Sequence, residues 1–155
     1  MHNTLKSGII AAAAALAFAA PASAADCPAS KVGVDVSKPG PMMASKVTDT
    51  VISSIDLSLG YNIPGRLLRM RKLVIQPGGV VPWHSHADRP ANIYVLSGQI
   101  TEYRSTCAVS ILHKTGDVTA ESGNLSHWWQ NNSRHTTVLL SADILPPQGK
   151  PDSSM

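Results

Sequence analysis

Residues 78–98 read GGVVPWHSHADRPANIYVLSG. His84 and His86 stand one residue apart, after a Pro77-Gly78-Gly79 sequence that reads as a turn. In an extended segment alternate side chains share a face, so both imidazoles project to one side, at a separation that can grip a single metal ion. The run Ile93-Tyr94-Val95 has strand character and leads to a second turn at Ser97-Gly98. The stretch therefore reads as one wall and one corner of a β-barrel with a metal site.

Working outward, the chain has 155 residues, room for one domain. Lys6, the apolar run Gly8 to Ala20 and the small residues Pro21-Ala22-Ser23-Ala24 have the layout of a secretory signal peptide, residues 1–24, cut after Ala24 or Ala25. The run is too short and too alanine-rich for a membrane span, which needs about 20 strongly apolar residues. Asp26 and Ala24 ahead of Cys27 do not suit lipid attachment. The expectation is export to a bacterial periplasm or beyond, with no stable membrane insertion. Loss of Lys6 leaves twelve basic against ten acidic residues, so the net charge falls from +3 to +2. That balance is too mild to argue for nucleic acid. In an oxidising compartment the cysteine pair, Cys27 and Cys107, reads as a disulfide that staples the N-terminal arm to the barrel across about 80 residues, for a few kcal/mol.

Residues 25–46 are rich in Pro, Gly, Ser and Lys without periodicity, and read as an extended arm. The barrel is expected over 47–145 and a disordered tail over 146–155. Val47 to Leu59 alternates as a strand. Arg66 to Gln76 is a second, whose Arg66, Arg69, Arg71 and Lys72 suggest either an anion-binding strip or an exposed edge kept soluble by charge. Gln99–Arg104 and Ala108–His113 form a hairpin, His127–Gln130 a short strand and Thr136–Ile144 the last. Many short strands punctuated by turns, with no amphipathic helix, make the fold class all-β.

Two spaced patterns now coincide. Gly78, His84, His86 and Gly98 fall on the first motif of the cupins, and Gly116, His127 and Asn131 fall on the second. Over roughly Arg66 to Leu145 the chain resembles a small single-domain cupin, an RmlC-like member of the type 2 group. That resemblance implies an antiparallel jelly-roll β-barrel, a small-molecule ligand and, in many members, a homodimer through the outer sheet. Where the family places a glutamate ligand this chain has Ala91, so the implied shell is His84, His86 and His127 alone. Three neutral imidazoles suit one divalent transition ion (Fe, Zn, Cu, Ni or Mn) and leave positions open. Some three-His cupins are dioxygenases, and other members only bind sugars or store protein. The readings carried forward are metal-dependent oxidation of a small anionic or oxygen-rich molecule, a non-catalytic binding module, a barrel whose histidines no longer hold metal, and a structural partner domain using Trp83 and Trp128.

Strand parity supplies the pocket. If Ala91 points inward, so do Ile93 and Val95; if His127 does, so does Trp129, while Trp83 and Trp128 face out. Arg89 is either a clamp for a substrate carboxylate or half of an ion pair with Asp88 that shapes the loop. His113 and His135, at strand ends, read as surface residues.

Overall fold

The structure is a computed structural model and describes residues 26–146. The proposed signal peptide and most of the proposed tail lie outside the described residues. Among the described residues eight strands, all paired antiparallel, make one curled sheet in the order β5-β4-β7-β2-β8-β3-β6, with β1 pairing on β2. They are β1 (Ser45–Asp56), β2 (Leu67–Ser85), β3 (Ala91–Ser97), β4 (Gln99–Arg104), β5 (Ile111–Lys114), β6 (Val118–Glu121), β7 (Ser126–Gln130) and β8 (Thr137–Leu145). This is the jelly roll, curled round a core of Leu73, Ile75, Val81, Ala91, Ile93, Val95, Ile100, Trp129 and Leu139. Alternation accounts for it: β8 is buried at Thr137, Leu139, Ser141 and Asp143, with the intervening residues half-exposed.

Strand β2 does most to position the site, and it corrects two expectations. Pro77-Gly78-Gly79 does not reverse the chain. The strand continues through it as a bulge, pairing with β8 from Leu67 to Ile75 and with β7 from Val80 to Ser85. The bend is held by Gly78 N donating to Asn131 O at 2.8 Å and Asn131 N donating to Gly79 O at 2.9 Å. Gly78 has φ 74°, and a Cβ on Gly79 would meet the carbonyls of Gln76 and Lys46 at 2.8 Å, so each position demands glycine for a different reason.

The second correction concerns the arginines. β2 lies between β7 or β8 on one side and β1 on the other, so its N-terminal half is not an exposed edge. Arg71 is buried, and Arg69 grips Asp143 with two bonds of 3.0 and 2.8 Å. Charge on this strand serves an internal network.

The arm packs against the outer sheet. Cys27 and Cys107 form a disulfide across 80 residues, and Val32 bridges Cys107. Trp83 N donates to Pro41 O at 2.8 Å, and Gly40 lies against Trp128, which stacks on Tyr103 at 4.0 Å. The two outward tryptophans thus meet the arm. No helix among the described residues is long and apolar enough to cross a membrane.

Candidate metal centre

His84 and His127 are direct partners across the β2–β7 ladder, and His86 follows just past the end of β2, two residues on and to the same side. This register brings three Nε2 atoms together: His84–His86 3.0 Å, His86–His127 3.0 Å and His84–His127 3.2 Å. A metal ion with nitrogens at about 2.0–2.1 Å has ligand–ligand edges of about 2.9 Å at right angles and 3.4 Å in a tetrahedron, so the triangle has the size of one face of a coordination shell.

Every Nδ1 is fixed by an acceptor. His84 Nδ1 donates to Pro82 O at 2.8 Å, His86 Nδ1 to Arg89 O at 2.8 Å and His127 Nδ1 to Glu102 Oε1 at 2.5 Å. Carbonyl and carboxylate oxygens only accept, so each Nδ1 carries the proton and each Nε2 lone pair faces inward, the tautomer a metal ligand needs. Burial, reinforced by His127, lowers the His84 imidazole to about 2 and the His86 imidazole to about 3, so both are neutral at pH 7. For His127 burial acts in the same direction, but the Glu121 and Glu102 carboxylates outweigh it and its affinity for a proton rises. The three could hold a metal ion.

Behind His127 stands a carboxylate that sequence reading missed. Glu102 on β4 is fully buried and accepts from His127 and, at 2.8 Å, from His113 Nε2, while Arg104 Nε lies 2.8 Å away. Burial alone would raise its pKa, yet the bonds from His113 and His127 hold it below the usual carboxylate range. His113 is accordingly not a surface residue: it is fully buried, with its ring 4.8 Å from that of Trp129. The signal for Glu102 lay in parity, since Ile100 and Glu102 share the inward face of β4 and a charge there requires partners. His135 is exposed, as expected. Asn131 is buried within its turn, with its side-chain amide donating to the carbonyls of Ile75 and His135.

His84 and His86 open on a cavity of about 20 Å³, lined also by Arg71, Arg89, Ile93, Glu121, Trp129 and Leu139. Trp129, Ile93 and Arg89 therefore share the cavity wall; Val95, on the same face as Ile93, belongs to the apolar core and not to this lining. Arg89 is buried with Nη1 3.0 Å from Asp143 Oδ2. Arg71 lies 3.4 Å from the same oxygen through Nε and 2.6 Å from Asp49 through Nη1. Arg69, Arg71 and Arg89 thus converge on Asp143, and Arg71 also reaches Asp49.

A jelly-roll barrel with an inward imidazole triad at one end of its core defines a class of small β-barrel proteins built round a metal or ligand pocket. Residues 71–143 match the cupin domain family, and this part of the chain is a cupin domain. Solved structures of similar fold include the cupin domain of Schizosaccharomyces pombe Cnp3 (11% identity over 64% of this chain and 64% of that one, TM-score 0.52). The TT1209 protein of Thermus thermophilus is similar at 17% identity, over 66% of this chain and 84% of that one, with TM-score 0.52. An oxalate oxidase in complex with the substrate analogue glycolate is similar at 18% identity, over 81% of this chain and 58% of that one, with TM-score 0.50. The chain spans less than two thirds of the first and third of these. At such identities the likeness speaks for the fold alone. No curated protein matches the sequence.

Proposed function

We propose that this cupin is a metal-dependent enzyme acting on a small oxyanion, a carboxylate above all, with oxidation by dioxygen ahead of isomerisation or hydrolysis. The observation that carries the reading is the meeting, on one cavity wall, of His84 and His86, two of the three convergent imidazoles, with the buried side chains of Arg71 and Arg89. A divalent transition ion held by His84, His86 and His127 would supply Lewis-acid and template chemistry and, if it is iron, reactivity toward dioxygen. The chain's own residues do the rest. Arg71 and Arg89 favour an anion, which Arg can hold by paired N–H groups. Leu73, Val81, Ile93, Trp129 and Leu139 keep the cavity apolar and exclude bulk water, which strengthens every charge interaction within it. Glu102 keeps the proton on His127 Nδ1 and so keeps Nε2 available. A space of about 20 Å³ accepts about one water-sized group, so the reacting part of the substrate is small.

Dioxygen uptake by metal-loaded protein, supplied in turn with short-chain mono- and dicarboxylates, tests this. Consumption dependent on one of them, lost in Arg89→Ala, is the expected result. Saturable binding without consumption would favour the second reading, a periplasmic binding module. The signal-like residues 1–24 favour that reading, because ferrous iron is hard to keep reduced outside the cytoplasm.

A further inference from the structure

Ala91 sits at the start of β3 with a methyl group that cannot bind a metal, yet its two cross-strand partners are both carboxylates: Glu121 on β6 and Asp143 on β8. Asp143 is taken up by Arg69, Arg71 and Arg89. Glu121 turns instead to the histidines. Its side chain is 2% exposed, with Oε2 3.1 Å from His86 Nε2 and Oε1 3.6 Å from His127 Nε2. Oε1 accepts no hydrogen bond among the described residues, in a place where an unsatisfied carboxylate oxygen is costly.

The tautomers decide what this carboxylate can do. Both Nδ1 atoms already donate elsewhere, so an Nε2 that gives its lone pair to a metal has no proton left for Glu121. The ion then takes the place of the imidazole protons as the cation nearest these oxygens, with Arg104 and Arg89 acting from further off. The 3.1 Å separation of Oε2 from His86 Nε2 is again an edge length of a coordination shell, and Oε1 lies 3.6 Å from His127 Nε2, so the carboxylate stands beside the His86–His127 edge of the triangle.

We propose that Glu121 is a fourth protein ligand of the centre, supplied from β6 because residue 91 on the neighbouring strand has none to give. This rests on the reading of His84, His86 and His127 as a metal site, and makes the shell three imidazoles and one carboxylate. A carboxylate ligand leaves a divalent ion with one net positive charge in place of two, so a bound water is less acidic and an anionic ligand less tightly held than at a bare three-His ion. Anion selection then falls mainly to Arg71 and Arg89. The ligand would hang from a four-residue strand, β6, whose ladder partner is β3.

The test compares the full mature chain with Glu121→Gln, Glu121→Ala and His84→Ala/His127→Ala. Zn²⁺ affinity is measured by competition with a chromophoric chelator, and coordination by the visible absorption of the Co²⁺-loaded protein. Near-ultraviolet circular dichroism of the metal-free forms establishes folding, and the isosteric Gln variant decides if the Ala variant fails to fold. The expected result is a loss of Zn²⁺ affinity of at least about tenfold in both Glu121 variants, with a changed Co²⁺ spectrum. Wild-type affinity in Glu121→Gln beside loss in the double-His variant overturns the ligand role and leaves the three-His centre standing. Reduced affinity with an unchanged Co²⁺ spectrum overturns it too, since Glu121 would then act only from outside the shell. No Zn²⁺ or Co²⁺ uptake by the wild-type protein overturns both readings together.

Discussion

Removing the Glu102 carboxylate is the perturbation whose cost the structure defines best. Glu102→Ala would leave His127 Nδ1 and His113 Nε2 without their acceptor and Arg104 Nε, 2.8 Å away, without its counter-charge, where water does not reach the carboxylate. A hydrogen bond to a charged group contributes about 1.5–3 kcal/mol, and breaking a buried ion pair by deleting one partner costs about 3–5 kcal/mol because the other charge is stranded. The two histidine bonds together come to about 3–6 kcal/mol, so the two estimates overlap at about 3–5 kcal/mol, a large share of the stability of a small domain. The same change frees the His127 ring to rotate and to take the wrong tautomer, so metal affinity should fall by about 10–100-fold. Urea unfolding of the metal-free protein measures the first quantity and a chelator competition titration the second. Glu102→Gln, whose amide oxygen can still accept from one histidine, should fall between wild type and Ala in both. A Glu102→Ala variant within about 1 kcal/mol of wild type that binds metal within twofold would refute the claim that this carboxylate anchors His127.

Replacing Cys27 and Cys107 together by serine should destabilise the chain by about 4 kcal/mol, the chain-entropy value for a closed loop of 80 residues, and urea unfolding would show it as a lower midpoint; a change under about 1 kcal/mol would mean that the arm's own packing holds it. Metal-free protein should lose stability as the pH falls below 6.5. His84 and His86, lowered to about 3 or below, take up protons only on unfolding, whereas Glu121, raised to about 7 chiefly by burial, is already protonated in the folded state and offsets one of them down to its ordinary 4.5. His127, raised above 6.5, takes its proton in the folded state before that point and adds no acid penalty. The slope should therefore be about 1 kcal/mol per pH unit between 6.5 and 4.5, then steepen as the lowered carboxyls of Glu102 and Asp143 join in, and a stability flat from pH 7 to 5 would contradict the assignment of buried neutral histidines. Gly79→Ala should cost about 1–3 kcal/mol, because its methyl meets two carbonyls at 2.8 Å; unchanged thermal unfolding would mean that the bulge relaxes freely.

Much of the fold was legible because two kinds of signal agree in this chain. His84, Ser85 and His86 announce a strand with a one-sided function, and period-2 burial recurs in β8 and in Ser126–Gln130. Strand parity paired His84 with His86, and the resemblance to the two cupin motifs added His127. What stayed hidden depended on strand neighbours. Arg71 and Arg69 look like solvated charge in one dimension, and only the β2–β8 ladder places Asp143 opposite Arg69. Pro77-Gly78-Gly79 has the composition of a turn, and its role as a bulge depends on β2 changing partners there. Val118–Glu121 is too short for its alternation to stand out, so Glu121 escaped notice although Ala91 left a ligand position to fill. His113 was misjudged because a strand end in sequence need not lie at the surface; here it packs beneath Trp129 and against Glu102.

The central claim is that the imidazole triangle holds a metal. Elemental analysis of the protein purified from its native source, beside the His84→Ala/His127→Ala variant prepared identically, tests it without recourse to a substrate. About one equivalent of a single transition metal per chain is expected in the wild-type protein and none in the variant. No metal in either, with unfolding unchanged when Zn²⁺, Fe²⁺, Mn²⁺, Cu²⁺ or Ni²⁺ is added, would contradict it and leave the barrel as a metal-free binding scaffold.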